Sequence, residues 1–371
     1  MGKERILSLI INLSLSVFAS IPAAWASGGD RVPGSRYTSG RGAALGDSFI
    51  GVADDLSGGL FYNPAALGRI RGFVLEPLNV QIQANHPLIN QFGADWSKMG
   101  DLASYKDTLT QSPRSVPGRS FSVMPAFGIG GFGGLGFGLL YQTRNMATST
   151  DGVNIRYRST YQLIPTAGYG VRLASGVLRI GYTLQWVNQA SGDITKPATD
   201  PTLSYKYGLK EGAGFSHNAG MSLTLPYVFL PSAHFVARNI GGLKMSGKSL
   251  MSFAESPAGN PDTEKMSLDA AIGWVSKWGK GVDLRPSVTA RDLTNTSNTS
   301  QMGRLAMGLE LGLGEKFFLR GGVGSGYPSA GIGFKSTHSE LNLAWFSEEV
   351  GTGYKSERDI RYIFHYILKA F

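Results

Sequence analysis

The chain has 371 residues, of which 51 are glycine, 17 proline and none cysteine; 42% are apolar, 16% are charged, and the formal net charge is +9. Glycine stands at about twice its average share and charge well below the roughly 25% of a soluble domain, yet the glycines follow no collagen period and the apolar content is too high for disorder. The absence of cysteine excludes disulfide scaffolds, thiolate metal sites and cysteine nucleophiles. The basic residues are spread thinly between apolar segments, with no helix-turn-helix or aromatic RNA motif, so they fit anionic lipid head groups rather than a nucleic acid.

In chain order, Lys3 and Arg5 precede an apolar run from Ile6 to Phe18, and Ala24-Trp25-Ala26 follows at cleavage spacing. Residues 1–26 therefore read as a secretory signal peptide. The run is well short of the ~20 residues of a helical span, and no later stretch approaches that length. An exported chain of this kind enters a membrane only as a closed barrel, because helices and barrels alone satisfy every backbone group in lipid.

Residues 27–77 lack strand alternation and read as a plug ahead of a barrel. Short helices are predicted at 43–51 and 65–68. Asn63-Pro64 breaks whatever precedes it, since the residue before proline is pushed to extended geometry. Pro64 and Ala65 then suit the first turn of a helix that Asn63 caps, which makes Asn63-Pro64-Ala65 the expected pivot of the plug. Asp54 and Asp55 are expected to cap helix N-termini or to pair with lumen arginines such as Arg69 and Arg71. Two adjacent carboxylates fall short of the six to eight oxygens of a calcium site, and no metal is assigned.

From residue 78 onward period-two alternation dominates. Leu78, Val80, Ile82 and Ala84 point one way and Asn79, Gln81, Gln83 and Asn85 the other, as in a lipid-out, water-in barrel strand. Strands are predicted at 78–85, 119–129, 135–142, 153–172, 178–188, 213–225, 233–239, 265–275, 282–291, 304–312, 316–323, 329–335, 340–346 and 359–370. That is an all-β fold, a transmembrane antiparallel barrel of about fourteen strands over 78–371, even-numbered as bacterial outer-membrane barrels require. A soluble sandwich would carry fewer Trp and Tyr at its strand ends. Short glycine-rich turns alternate with long polar stretches at 86–118, 143–152, 189–212, 240–264 and 292–303, which are read as outer loops. Asp95 to Thr110 has a helical pattern (Trp96, Met99, Leu102, Tyr105, Leu109) that suits a helix over the outer mouth. Pro125 and Pro165 remove ladder hydrogen bonds and are candidates for a gap in the wall. Phe371 ends the chain as in barrels read by the assembly machinery, although it lies out of phase with Tyr362, Phe364, Tyr366 and Leu368.

Nothing points to catalysis or a cofactor. Gly131-x-Gly133-x-x-Gly136 opens a strand, not a helix, so it cradles no dinucleotide. The five histidines lack metal-ligand spacing. Ser232-x-His234 and Ser336-x-His338 each pair a hydroxyl with an imidazole, but no third group to orient them is identifiable.

The run from Gly42 to Asp55 (GAALGDSFIGVADD), followed by Gly59-Leu60-Phe61-Tyr62-Asn63-Pro64-Ala65-Ala66-Leu67, resembles the N-terminal signature of the FadL-like outer-membrane superfamily. That superfamily includes long-chain fatty acid and hydrocarbon channels and the PorV-like proteins of a secretion system. The resemblance implies a fourteen-stranded barrel with this run as a hatch in its lumen. It further implies passive transport of hydrophobic small molecules across the outer membrane of a Gram-negative bacterium or, alternatively, a non-conducting PorV-like component or partner of a protein secretion system. Val236 to Gly242 (VARNIGG) and Thr289 to Asn295 (TARDLTN) resemble strand ends of the PorV-like branch. Asn and Asp also simply begin turns, and both readings stand.

Overall fold

The computed structural model describes residues 36–371 apart from 93–100, 279–280, 298, 351–353 and 371. The signal peptide, Trp96, Met99 and the terminal Phe371 thus lie outside the described residues. Fourteen antiparallel strands form a closed barrel. They are β1 (Phe73–Glu76 continuing as Leu78–Asn85), β2 (Gly118–Val123 and Ala126–Gly130), β3 (Gly133–Ser149), β4 (Asn154–Leu173), β5 (Leu178–Pro197), β6 (Lys210–Thr224) and β7 (Ser232–Arg238). The second half consists of β8 (Ser267–Gly273 and Ser276–Trp278), β9 (Val282–Ala290), β10 (Leu305–Leu313), β11 (Phe317–Gly324), β12 (Tyr327–Lys335), β13 (Ser339–Glu349) and β14 (Arg358–Leu368). Each strand pairs with its neighbours in sequence, and β14 returns to β1 with Tyr362 opposite Ala84 and Leu368 opposite Leu78. Closure leaves no free edge.

Side chains sort as the alternation predicts. On β1, Asn79, Gln81, Gln83 and Asn85 are buried while Leu78 and Ile82 are exposed; on β6, Ser216, Asn218 and Ser222 are buried while Phe215, Met221 and Leu223 are exposed. The polar row faces a filled interior and the apolar row faces outward, toward lipid. No helix among the described residues is long and apolar enough to cross a membrane.

Three features differ from the sequence expectation. First, β1 starts at Phe73, so the barrel begins five residues ahead of position 78. Second, β3 and β5 run on through 143–149 and 189–197, which the sequence analysis assigned to outer loops. At 17, 20 and 20 residues, β3 to β5 are about twice as long as the roughly 9–11 residues that cross a bilayer. Their far ends carry a second apolar cluster in which Tyr157, Tyr161 and Ala190 pack with Leu102, Leu109, Leu203 and Phe253. Protein rather than lipid covers that face, so the apolar–polar contrast that marks a membrane strand is lost there. Third, the helix predicted at Asp95–Thr110 is reduced, among the described residues, to a turn at Ala103–Tyr105 and a helix at Lys106–Gln111; Leu102 and Leu109 from that pattern are fully buried.

Ahead of β1, a helix α1 (Gly40–Ala44), a wide helical turn (Gly58–Tyr62) and a 3-10 turn (Pro64–Arg69) succeed one another. Ser39 caps α1 by accepting from the Gly42 N–H, and α1 stops early, before the predicted 43–51 span is complete, because Gly46 and Asp47 both take φ of 65°. This segment touches nearly opposite walls. A Cβ at Gly181 of β5 would fall 2.1 Å from the Pro64 carbonyl oxygen, and one at Gly322 of β11 would fall 2.3 Å from the Leu45 carbonyl carbon. Only glycine tolerates such an approach of backbone to backbone. The segment therefore crosses the interior, and its Leu45, Phe49, Leu56, Leu60 and Leu67 form the main core with Met124, Leu140, Ile164 and Val187 of the wall.

Candidate functional site

Two constructions meet inside the barrel: a clamp that holds the inner segment, and a break in the wall beside it. The clamp is built from charges on the β7–β13 side. Arg41 of α1 donates to both carboxylate oxygens of Glu310 (2.8 Å each) and to Asp54 (2.5 Å). Arg285 of β9 donates to the other Asp54 oxygen at 2.9 Å, and Arg320 of β11 bridges Glu310 (2.7 Å) to Asn342 of β13 (2.6 Å). Glu310 is fully buried, so the network stands only because both of its oxygens are satisfied. Burial pushes the Asp54 carboxyl up, but Arg41 and Arg285 outweigh it and hold it well below the usual carboxylate range. Burial also raises Asp55; Arg41 opposes the rise and the adjacent Asp54 adds to it. Lumen arginines do pair with Asp54, but Arg41 and Arg285 make the direct contacts, and Arg69 adds only a weaker attraction. Capping, the other expectation, is seen at Asp55, which accepts from the Gly58 N–H (2.6 Å) and the Ser57 hydroxyl (2.9 Å) at the start of a helical turn.

The two similar runs also reach the segment. Arg238 of β7 is fixed by Asp269 (2.6 Å) and donates to the carbonyls of Phe61 and Tyr62, each at 2.9 Å. Arg291, after β9, pairs with Asp47. Asn239 and Asp292, the next residue in each run, both take positive φ, 51° and 47°. The turn reading of these runs is thus correct in its geometry, and the basic residue before each turn is a tether that the sequence analysis missed.

Asn63 caps as expected, its Oδ1 accepting from the Ala65 N–H at 3.1 Å, with Pro64 at the first position of the turn. Its Nδ2 donates to Ser222 Oγ at 3.1 Å and lies 3.3 Å from His234 Nδ1. This contact is uncharged on the segment side. His234 sits between Ser222 (2.8 Å) and Ser232 (2.9 Å), so the Ser232/His234 pair does meet. It links the wall to Asn63, and among the described residues no carboxylate is hydrogen-bonded to the imidazole.

The wall break lies at β1 to β6. Pro77 interrupts β1, and Pro125 interrupts β2. Val80 is opposite Val123, but Glu76 is opposite Ala126, so one extra residue bulges from β1 at Pro77. Between β4 and β5 the ladder lapses from Leu163–Asn188 to Thr166–Gln185, which spans Pro165. These interruptions converge: Pro77, Pro125 and Pro165 line one groove of about 450 Å³ together with Phe127, Phe137, Leu139, Trp186 and Phe215. Phe127, Phe137, Leu139 and Phe215 are exposed on the outer face, whereas Glu76, Ala126 and Thr166 are buried. Glu76, Ala126, Gly138 and Thr166 lie opposite one another in a row that faces the lumen, so the groove opens on the outer face with the wall behind it. Behind it stands the inner segment, since a Cβ at Gly138 would meet Leu60 Cδ1 at 2.8 Å and one at Gly136 would meet Leu67 Cδ2 at 2.8 Å. Pro125 and Pro165 are each visible in the sequence as strand breakers; Pro77 is not, because it lies in the stretch that reads as plug.

No family model matches the chain, and no curated protein matches it. Among solved structures, the CymD monoaromatic hydrocarbon channel superposes with a TM-score of 0.53 at 10% identity, covering 91% of this chain and 98% of that one. A deltaS2 mutant of the TodX monoaromatic hydrocarbon channel gives 0.48 at 10% identity over 89% and 97% of the two chains. The P. putida toluene transporter TodX gives 0.45 at 9% identity over 88% and 97%. The two TodX matches are too loose to carry an argument. The CymD match shows a shared barrel fold.

Proposed function

From a barrel of FadL-like fold, we propose a passive channel for hydrophobic small molecules in the bacterial outer membrane, with the inner segment as its hatch. The observation that carries this reading is the groove, where three prolines in the neighbouring strands β1, β2 and β4 open an apolar notch in the wall. Missing ladder bonds weaken the sheet there, and Leu60 and Leu67 are the side chains that block it from within. A hydrophobic solute that reaches the lumen leaves sideways into lipid once those leucines shift, without having to cross the polar periplasm. Asn63-Pro64-Ala65 is the pivot, because its ties to Ser222 and His234 are neutral and few while Arg41 stays locked to Glu310.

Uptake of a monoaromatic hydrocarbon and of a long-chain fatty acid by proteoliposomes, with and without the protein, tests this function. Protein-dependent uptake of either solute is expected. Uptake of neither, together with a changed set of secreted proteins in a deletion strain, would overturn the channel and leave the non-conducting, PorV-like partner of a secretion system.

A further inference from the structure

The short-turn end of the barrel gathers positive charge that nothing beside it balances. Arg172, near the end of β4, and Arg179, near the start of β5, are direct partners across the ladder, and like charges placed opposite one another destabilise a sheet. Both point into the lumen, since the adjoining Leu173 and Ile180 are exposed on the outer face. The inner segment brings two more arginines to the same place. A Cβ at Gly68 would fall 3.5 Å from Arg172 Cγ, so the chain enters Arg69 against that stem, and a Cβ at Gly130 would fall 2.8 Å from Arg71 Cα. The charges that act on Arg179 are those of Arg69 and Arg71, and Arg69 and Arg179 both act on His234. Donors are left over. Arg172 Nη2 holds the Gly131 carbonyl at 2.7 Å and Arg179 Nη1 holds Thr224 Oγ1 at 3.2 Å, but Arg172 Nη1 and Arg179 Nε are buried with no partner among the described residues. Arg69 makes no hydrogen bond or ion pair among the described residues. The carboxylate that attracts it, Asp54, is committed to Arg41 and Arg285.

We propose that Arg69, Arg71, Arg172 and Arg179 form an oxyanion site between the inner segment and the wall, and that the site takes a phosphate group. The argument is one of charge and donor count. A carboxylate offers a single charge and two oxygens to four guanidinium groups. A phosphate carries about two negative charges and at least three acceptor oxygens, which suits several planar donor forks at once. The short-turn end faces the periplasm in outer-membrane barrels, and Arg71 is exposed there. Phosphate reaches it from two sources, dissolved in water or as a lipid head group of the adjoining leaflet. Once bound, it ties two arginines of the segment to two of the wall, away from the clamp that Arg41 makes on Glu310. The inference does not depend on whether the barrel conducts.

Calorimetric titration of the whole protein in dodecyl maltoside, a detergent without phosphate, tests the site with inorganic phosphate and with acetate at matched ionic strength. Saturable binding of phosphate is expected, with acetate weaker. Arg69→Gln and Arg172→Gln should each weaken phosphate about ten- to a hundredfold, the range for a hydrogen bond to a charged group. Arg172→Lys, which keeps the charge, should retain part of the affinity. Arg158→Gln, at the opposite end of β4 where Arg158 pairs with Asp193, should leave it unchanged. Heat-modifiable migration on gels verifies that the variants are folded barrels. Native mass spectrometry with phosphatidylglycerol and with diacylglycerol separates the two sources. Retention of phosphatidylglycerol alone, lost in Arg69→Gln and without saturable binding of inorganic phosphate, assigns the group to a lipid. Acetate binding as tight as phosphate, an affinity unchanged in both Arg69→Gln and Arg172→Gln, or no saturable binding of either phosphate source would each overturn the site.

Discussion

The two sides of the barrel hold the same inner segment by opposite means. On the β7–β13 side the contacts come from arginines: Arg41 bidentate on Glu310, Arg238 on two carbonyls, and Arg291 on one oxygen of Asp47. On the β2–β5 side apolar contacts against glycine prevail, with Leu60 and Leu67 resting on Gly138 and Gly136, and the polar tie is neutral, Gln185 donating to the Leu60 carbonyl at 3.2 Å. Breaking a buried ion pair costs about 3–5 kcal/mol because it strands a charge, whereas a leucine that slides over glycine strands nothing. One side is therefore an anchor and the other is free to yield. The groove lies on the yielding side.

The comparison can be broken outright by deleting Gly42–Leu67, which removes the segment from both walls. The barrel is expected to assemble, since its strands supply their own hydrogen bonds. It should also become leaky, to be read as hypersensitivity to large antibiotics alongside normal heat-modifiable migration. Failure to assemble would show that the segment is part of the barrel's own core.

A smaller effect is expected from Arg41→Met. Glu310 keeps Arg320 and Asp54 keeps Arg285, so no charge is stranded and the anchor loses its centre at less than the roughly 3–5 kcal/mol of an uncompensated buried charge. Faster proteolysis of the inner segment in a barrel that still migrates normally is the expected outcome, and unchanged proteolysis would deny the anchor its role.

Leu60→Ala acts on the yielding side alone. The cost is about 2–5 kcal/mol for a cavity behind Gly138, and hydrophobic uptake should quicken while proteolysis of α1 stays as it was. Slower or unchanged uptake would argue against a gate at this point. The smallest change is Asn63→Leu, a lost cap of about 0.5–2 kcal/mol. Normal assembly with altered uptake of a hydrophobic probe is expected; an unaltered rate would remove the pivot from this turn.

Much of the fold was legible because lipid outside and a polar lining inside impose strict alternation, as Leu78–Asn85 and Phe215–Leu223 show. Legibility ended where that contrast ends. The far ends of β3 and β5 face protein, where Ala147 and Ala190 join the cluster of Tyr157, Tyr161 and Phe253, so they looked like loops, whereas β4 between them was legible over its whole length. The prolines were legible one at a time, but their convergence depends on register, Leu139 opposite Pro165 and Glu76 opposite Ala126, which alternation does not supply. The anchor was hidden for a similar reason. Arg41 and Glu310 are 269 positions apart, and a lone arginine in a small-residue run carries no mark of its partner.

The order of elements along the chain has a temporal meaning. The inner segment directly precedes β1, and the neighbour that seals β1 is the last strand, β14, through Arg361 opposite Asn85 down to Leu368 opposite Leu78. While that seam is open, the segment has a flank through which Arg41 and Asn63 can reach their partners; once β14 pairs with β1 the segment is enclosed. Chain order therefore places the inner segment beside the seam that joins the first strand to the last.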